Sequence, residues 1–280
     1  MTTRKEVLGE IEYLYSLKTI METYEEIAAS RMQHIRSKVL QSRDFLFEIN
    51  TIFQQVKSSY KLGLKKLMKA RSSFLKSNGK TLFVLISANT GLYGDIIRRT
   101  FDVFAKEFKK QKSDIAIIGR VGLNQFQGEF PNMAITYFDL SDDKVEEEAF
   151  KGIIPKLIEY EKVLVFYGQF QTIISQVPLV TSISGDKLPM QQDSQIKYFF
   201  EPTLEKILEF FEKEIFASIF EQVILESQLA KFASRMVALD KSVDNANDSL
   251  KQMVFQKERI RHQILNKKQS ELLVSQSLWR

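Results

Sequence analysis

The sequence predicts a mixed α+β and α/β protein, in which N- and C-terminal helices form a long antiparallel coiled coil around an inserted α/β domain. Three observations predict this fold class. Both ends of the chain have heptad-like apolar spacing, the N-terminal end lacks proline, and the residues between them alternate short apolar runs with helical patterns. We expect boundaries that divide the chain into residues 1–76, 77–201 and 202–280.

The first helix is predicted from about Lys5 to Leu75, with glycine only at positions 9 and 63. At 1.5 Å per residue it would extend about 100 Å, which requires a partner helix of similar length. Ser77-Asn78-Gly79 supplies a helix stop, because glycine accepts a left-handed C-cap without penalty. The apolar seam, whose two gaps are Lys18 and Ser42, consists of Val7, Ile11, Leu14, Met21, Tyr24, Ala28, Met32, Ile35, Val39, Leu46, Ile49, Phe53, Val56 and Tyr60.

The middle of the chain predicts a Rossmann-like α/β domain. Its apolar runs are typical of buried strands and alternate with helical patterns, so we expect a mostly parallel sheet. A β-rich segment from Gln171 to Ser184 carries Pro178 and is expected to end the sheet. The predicted strands are residues 82–86, 115–118 and 163–167, with a weaker candidate at 134–138, and the predicted helices are residues 96–111 and 144–160.

Pro202 opens the last helical region, at a position where its missing N–H is harmless. From Leu229 the apolar positions alternate steps of three and four, which indicates a coiled-coil seam that only Lys257 interrupts. The seam continues through Phe232, Met236, Leu239, Val243, Ala246, Leu250, Met253, Ile260 and Ile264. The end of the helix carries a basic tip, which predicts an anionic partner or, alternatively, an ordinary solvated face. This tip comprises Lys257, Arg259, Arg261, Lys267 and Lys268.

Composition excludes several classes of function. The 280 residues are 44% hydrophobic and 27% charged, which indicates a folded chain. There is no cysteine, and the two histidines, His34 and His262, lie on predicted helices, so we expect no disulfide, metal site or histidine catalysis. The sequence lacks a membrane-spanning run and an apolar leader, which predicts a cytoplasmic location. Basic residues are not interleaved with the aromatic ones, so nucleic acid is not an expected partner.

The loop from Ser87 to Asp95 lies where nucleotide-binding domains place a phosphate loop, between a strand and a helix. Its two glycines, Gly91 and Gly94, are three residues apart, whereas phosphate and dinucleotide loops need other spacings. We therefore interpret it as a tight turn in which glycine permits positive φ. The acidic pairs Glu25-Glu26 and Asp142-Asp143 are interpreted as solvated. No catalytic, cofactor-binding or metal-binding residue is predicted.

Four stretches, in chain order, resemble the gamma subunit of F-type ATP synthases. Ile27-Ala28-Ala29-Ser30-Arg31-Met32 is similar to V-A-A-S-K-M, and Gly91-Leu92-Tyr93-Gly94 to G-L-C-G. The stretch Tyr167 to Gln176 resembles Y-N-x-F-x-S-x-x-S-Q. The last stretch is the most specific: Glu226-Ser227, Arg235-Met236 and Asp244-Asn245-Ala246 resemble E-S, R-M and D-N-A of the family.

This resemblance implies a central rotor stalk that couples rotation to ATP synthesis or hydrolysis. The implied partners are alpha and beta subunits of a catalytic ring, an epsilon-like subunit and a membrane c-ring. ATP, ADP and magnesium would be bound by the partner subunits and not by this chain. The motif residues of the first and last stretches would make the subunit contacts. The chain ends would reach into the ring, and the complex would lie at the inner face of the cell membrane.

The sequence departs from the family pattern at several positions. Glu22, Glu25 and Glu26 reverse the charge of a stretch that is basic in the family, and Lys231-Phe232 replaces E-H. Like charges across an interface are costly, so these changes suggest a diverged or paralogous gamma subunit with a changed partner. The alternative is a coiled-coil scaffold of a paralogous ATPase-like complex that is not coupled to an ion-translocating membrane ring.

Overall fold

The computed structural model describes residues 4–59, 78–142, 147–183 and 203–277. It confirms the predicted fold class: two long helices from the chain ends pack antiparallel, and an α/β domain is inserted between them. The first helix, α1, runs from Arg4 to Ser59, and the last, α5, from Leu204 to Ser277. The predicted continuation of α1 to Leu75 and the role of Pro202 lie outside the described residues.

Five strands form one mixed sheet in the order β3-β2-β1-β4-β5. Strands β1 to β4 are parallel, and β5 pairs antiparallel with β4, with Pro178 opposite Gly168. Proline is tolerated there because β5 is an edge strand. All four predicted strands and the predicted terminal segment are confirmed. They are β1 Thr81–Ile86, β2 Asp114–Ile118, β3 Thr136–Phe138, β4 Lys162–Phe170 and β5 Gln176–Ser182.

Helices cover both faces of the sheet. The predicted helices are confirmed as α2 Ile96–Lys110 and α4 Glu147–Ile158. A third helix, α3 Arg120–Glu129, is not predicted by the sequence pattern. It contains two glycines, and its buried residues are only Gly122 and Phe126, so its apolar period is too weak to indicate a helix.

Alternate residues of the buried strands point into two separate cores. On one face, Val84 and Ile86 pack with Phe150 of α4 and with Phe220 and Val223 of α5. On the other face, Phe83 and Leu85 pack with α2 and α3 in a cluster rich in phenylalanine. Rings of this cluster meet in stacked, tilted or edge-to-face arrangements at centroid distances of 4.9 to 6.4 Å. It contains Phe83, Phe101, Phe104, Phe108, Phe126, Phe166 and, partly buried, Phe130.

The chain divides into two compact units. One contains residues 1–29 and 235–280, and the other contains residues 30–234. In the first, Val7 and Ile11 of α1 pack against Leu250 of α5. In the second, Ile49, Phe53 and Val56 of α1 pack against Leu208 and Ile215 of α5. Within each unit the two helices are antiparallel. In the first, Val7 packs near Leu250 and Glu25 lies near Asp240, and in the second, Arg43 pairs with Glu226 while Ile49 and Leu208 share a cluster.

The predicted seams are largely buried, with two corrections. Tyr24 is exposed, and the neighbouring Glu25 is partly buried instead. Ile264 is 40% exposed, and all residues from 261 to 275 are exposed. The α5 seam therefore ends near Ile260, because α1 begins at Arg4 and no described residue of α1 is left to cover the rest. None of the helices in the described ranges is long and apolar enough to cross a membrane.

Candidate functional site

The loop after β1 forms the tight turn that the sequence predicts, but its left-handed residues differ in part. Gly94 has φ +57°, whereas the other left-handed residue of this loop is Leu92, with φ 66°, and not Gly91. A Cβ on Gly94 would lie 2.5 Å from Oγ of Ser234, so the turn is pressed closely against α5. Oγ of Ser234 donates a hydrogen bond to the carbonyl of Tyr93 at 2.9 Å.

The amide groups of this loop bind an anion that belongs to the chain itself. The N–H groups of Asn89 and Thr90 donate to Oδ2 of Asp142, at 2.8 and 3.0 Å. The interpretation of Asp142 as solvated is therefore wrong: its side chain is only 7% exposed. Asp143 lies outside the described residues. The two N–H groups are hydrogen-bonded to the carboxylate of Asp142, so the loop makes a structural contact within the protein.

Lys231 of α5 neutralises this buried carboxylate. Its Nζ lies 2.9 Å from Oδ1 of Asp142 and donates to the carbonyl of Ser87 at 3.1 Å. It also lies 5.8 Å from the ring centroid of Tyr93, at cation–π distance. Burial by itself would raise the pKa of Asp142. The charge of Lys231 and the hydrogen bonds from Lys231, Asn89 and Thr90 outweigh it and lower that pKa below its usual value.

A second buried acidic group, Glu226 of the E-S motif, connects three elements. Its carboxylate lies 2.6 Å from Nη2 of Arg43 on α1, and Gln222 donates to it at 3.1 Å. The hydroxyl of Tyr167 on β4 donates to its other oxygen at 3.5 Å. Burial raises the pKa of Tyr167, so this hydroxyl keeps its proton at neutral pH. The motif residue Glu226 therefore joins α1, α5 and the sheet.

The remaining residues that the resemblance singles out are divided between the seam and the surface. Ala28, Ser227 and Ala246 are buried, so they pack within the protein and are not available to a partner in this structure. Ala29, Arg31, Met32, Arg235 and Met236 are partly buried. The exposed members are Ile27, Ser30, Asp244 and Asn245.

The three acidic residues of α1 differ in their surroundings. Glu22 is exposed and lies 3.6 Å from Lys18, one turn earlier, while Glu26 is exposed. Burial, together with the negative charges of Asp240, Glu22, Glu26 and Asp244, raises the pKa of Glu25. This acidic face thus contains residues of both α1 and α5.

Next to it along the helix pair, α1 and α5 form an open groove of about 650 Å³ that is lined by apolar and by charged side chains. Its apolar members include Tyr15 and Phe255, which are 54% and 75% exposed. Of the basic tip, Lys257 is partly buried, and Arg259, Arg261, Lys267 and Lys268 are exposed. Among the described residues, no group of three or more His, Cys, Asp or Glu could hold a metal ion.

Comparison with known proteins gives one consistent result. A family model described as ATP synthase matches residues 3–271. The ATP synthase gamma chain of Pelotomaculum thermopropionicum is 24% identical, over 98% of both chains. That of Amoebophilus asiaticus is 25% identical over 90% of both chains.

Solved structures show the same fold. A chain from the cryo-EM structure of the Tetrahymena thermophila mitochondrial ATP synthase central stalk and c-ring matches with a TM-score of 0.55 at 21% identity, covering 80% of this chain and 99% of that one. A chain from the rotor of the Euglena gracilis mitochondrial ATP synthase matches with a TM-score of 0.52 at 12% identity, covering 92% and 99%.

Proposed function

This chain belongs to the ATP synthase family, and from that membership we propose that it is a gamma-type central stalk subunit of an F-type or F-type-like rotary ATPase. The observation that carries the proposal is the extent of the family match, which spans residues 3–271 and thus both long helices and the inserted domain. A partial match would support only a shared domain. The full arrangement is the one that a rotating stalk requires, because paired long helices resist bending and twisting better than one helix does.

The proposed partners are the alpha and beta subunits of a catalytic ring, together with an epsilon-like subunit and a membrane c-ring. The similar Tetrahymena chain comes from a structure of central stalk and c-ring. A similar Euglena chain comes from a structure of OSCP, F1 and c-ring. For this chain we propose a peripheral position in such a complex, at the cytoplasmic face of the cell membrane.

We propose that the chain is not catalytic by itself and that ATP, ADP and magnesium are bound by its partners. Two features support this view. The carboxylate of Asp142 accepts hydrogen bonds from the N–H groups of Asn89 and Thr90 in the loop after β1. These are the groups that would otherwise donate to a phosphate. Asp95, at the start of α2, adds a further negative charge near that loop and lies 3.8 Å from Arg99.

We further propose that the exposed motif residues contact the ring subunits. Ile27, Ser30, Asp244 and Asn245 offer side chains to a partner, and the exposed rings of Tyr15 and Phe255 in the groove offer a surface that an apolar partner residue would cover. The basic tip would face acidic groups of the ring. The acidic face of Glu22, Glu25 and Glu26 requires a basic surface on the partner, since a second acidic surface would repel it.

The decisive experiment is purification of the native complex through an affinity tag on this chain. We expect alpha-type and beta-type subunits to co-purify and the preparation to hydrolyse ATP. A preparation that contains neither type of subunit would contradict the proposal and favour the scaffold alternative. Hydrolysis by the isolated chain, at a rate lowered by Asp95→Asn, would contradict the non-catalytic assignment.

A pair of variants tests whether the helix pair is needed for coupling. Ala246 is buried in the α5 seam, so Ala246→Asp should separate α1 from α5 and reduce coupled turnover at least tenfold. Gln252 is exposed on the same helix, so Gln252→Asp introduces the same charge without entering the seam. Equal turnover of the two variant complexes would argue against a mechanical role for the pair.

A further inference from the structure

One segment of α5 is enclosed on every side. Each residue from Val223 to Ser234, about three turns of helix, is buried. A surface helix normally exposes one polar face, so burial all round is unusual for a segment that contains polar side chains. We call these residues the enclosed segment. Its polar members are Glu226, Ser227, Gln228, Lys231 and Ser234.

Apolar packing sets the rotational position of such a segment less sharply than directional bonds do. Val223 and Ile224 belong to the core beneath the sheet, where contacts are non-directional. Close packing resists rotation of the helix, but contacts that are only apolar can be replaced by others at a modest cost in free energy. Hydrogen bonds and ion pairs are directional, so they distinguish one angular setting from the others.

Three polar residues of the enclosed segment follow one another at intervals of three and therefore line one side of α5. Nε2 of Gln228 donates to the carbonyls of Ser141 and Asp142, at 3.3 and 3.2 Å. Lys231 pairs with Asp142 at 2.9 Å, and Ser234 donates to the carbonyl of Tyr93 at 2.9 Å. All these acceptors belong to the α/β domain.

Glu226 holds the segment from another direction. It lies five residues before Lys231, which places it about 140° away around the helix axis. Its partners are Arg43 on α1 and Tyr167 on β4. The enclosed segment is thus bonded on two sides, and a turn about the axis would leave the charges of Glu226, Asp142 and Lys231 buried without partners, which is strongly unfavourable.

We propose that Gln228, Lys231 and Ser234, with Asp142 and the loop of residues 87–94, form a polar lock that makes the α/β domain turn together with α5. This inference rests on the proposed rotor function and adds to it the site where torque passes between the helix and the domain. The close approach of Gly94 to Ser234 belongs to the lock, because it leaves no space for the loop to slide along the helix.

The test is a rotation measurement on the reassembled complex with its catalytic ring fixed to a surface. Because the chain has no cysteine, a single introduced cysteine that is labelled before reassembly places the optical probe at one position of this chain. Lys112→Cys, at an exposed site before β2, reports on the α/β domain, and Glu209→Cys, at an exposed site of α5, reports on the helix. The measured quantity is the angular variance of each probe while the complex waits for ATP.

The test variant combines Asp142→Asn with Lys231→Met. Asparagine keeps an oxygen for the N–H groups of Asn89 and Thr90, and methionine keeps most of the volume of lysine, so the ion pair is removed with little loss of packing. We expect the variance at residue 112 to rise at least twofold and the variance at residue 209 to stay unchanged. An unchanged variance at residue 112, or an equal rise at both probes, would overturn the lock.

Two controls make the result specific. Lys109 of α2 and Glu129 of α3 form an ion pair at 2.6 Å within the α/β domain, so Lys109→Met with Glu129→Gln should change neither variance. A milder variant, Gln228→Leu with Ser234→Ala, removes only uncharged contacts and should raise the variance at residue 112 to a smaller extent. If the first variant does not fold, this milder variant serves as the test. An unchanged variance at residue 112 in the milder variant would then overturn the lock.

Failure of the lock can be distinguished from failure of the proposed function. If complexes with the unmodified lock rotate and the variants show no extra variance, only the lock is wrong. If the chain with an unmodified lock neither assembles with a ring nor rotates, the proposed function is wrong, and the lock is overturned with it.

Discussion

At the scale of single residues, close backbone approach decides which positions must be glycine. Gly119 precedes α3 and has φ +100°, and a Cβ there would lie 2.7 to 2.9 Å from backbone atoms of Ala88. Backbone atoms cannot move aside as the end of a flexible side chain can. This glycine therefore joins the turn before α3 to the loop after β1, and no other residue type fits without displacement of one of them.

Replacement of this glycine is expected to destabilise the protein. Gly119→Ala combines backbone strain with a contact to Ala88, so we expect a loss of about 3 kcal/mol in the free energy of unfolding. Denaturant unfolding followed by circular dichroism measures it. The matched control is Gly128→Ala in α3, where a Cβ would meet nothing within 4 Å and a gain of up to about 1 kcal/mol is expected. Similar effects of both changes would contradict the argument from close approach.

Glu25 gives a prediction about pH. Its pKa is raised in the folded protein by burial and by four neighbouring carboxylates, so the folded state binds more protons than the unfolded state just above the usual glutamate pKa. Glu25 therefore reduces stability as the pH rises through that range, and the penalty persists at neutral pH. We expect Glu25→Gln to stabilise the protein by about 0.5 kcal/mol at pH 7 and to have little effect below about pH 4.

The control for this prediction is the neighbouring Glu26→Gln, which removes the same charge from an exposed side chain. Its effect at pH 7 should be smaller than that of Glu25→Gln. Thermal unfolding of both variants across the pH range gives the comparison. A stabilisation by Glu25→Gln that is equally large at pH 4 would show that loss of the charge is not the cause.

At the scale of elements, apolar periodicity identifies helices that pack against another element along a continuous stripe. The seam between α1 and α5 is long and regular. On α1, the predicted apolar seam positions from Val7 to Val56 are buried or partly buried, with Tyr24 as the exception. The pattern of α3 is too short and too rich in glycine to be recognised. Its helical state depends on the packing of Phe126 against Phe104 and Phe108, which are distant in sequence.

The seam predicts a contrast between two leucines of α5. Leu250 is buried against Val7 and Ile11, so Leu250→Ala should cost about 2–4 kcal/mol in the free energy of unfolding. Leu272 is 67% exposed, beyond the part of α5 that α1 covers, so Leu272→Ala should cost less than about 0.5 kcal/mol in the isolated chain. Urea unfolding of both variants tests this contrast, and equal losses would contradict the observed end of the seam near Ile260.

At the scale of the whole molecule, basic and acidic side chains are concentrated on separate surfaces. The chain has a net charge of +5, with a basic tip on α5 and an acidic face that includes Glu22 and Glu26. If that face meets a basic surface of the ring, the double variant Glu22→Lys with Glu26→Lys should associate with the ring about tenfold more slowly at low salt. The difference should shrink at high salt, because ions screen the interaction. Stopped-flow assembly kinetics measures both effects.

The control introduces the same charges elsewhere on α1. Asp44→Lys with Glu48→Lys changes the net charge by the same amount at two exposed positions outside the acidic face. If the acidic face has a specific role, this control should slow assembly much less than Glu22→Lys with Glu26→Lys does. Faster assembly of the Glu22 and Glu26 variant would indicate that the facing surface is acidic and would contradict a compensating change in the partner.

The sequence by itself determined the fold class, the four predicted strands, two of the three short helices and the family, because these depend on local periodicity and on motifs in a fixed order. It also singled out Glu226, for which the resemblance implies a subunit contact, and Lys231, as a departure from the family pattern, without indicating what either residue binds within the chain. Only the tertiary structure decided that Asp142 is buried and that it lies between Lys231 and the loop after β1. Residues 142 and 231 are far apart in the chain, and whether a charged side chain is solvated or paired depends on what the fold places beside it.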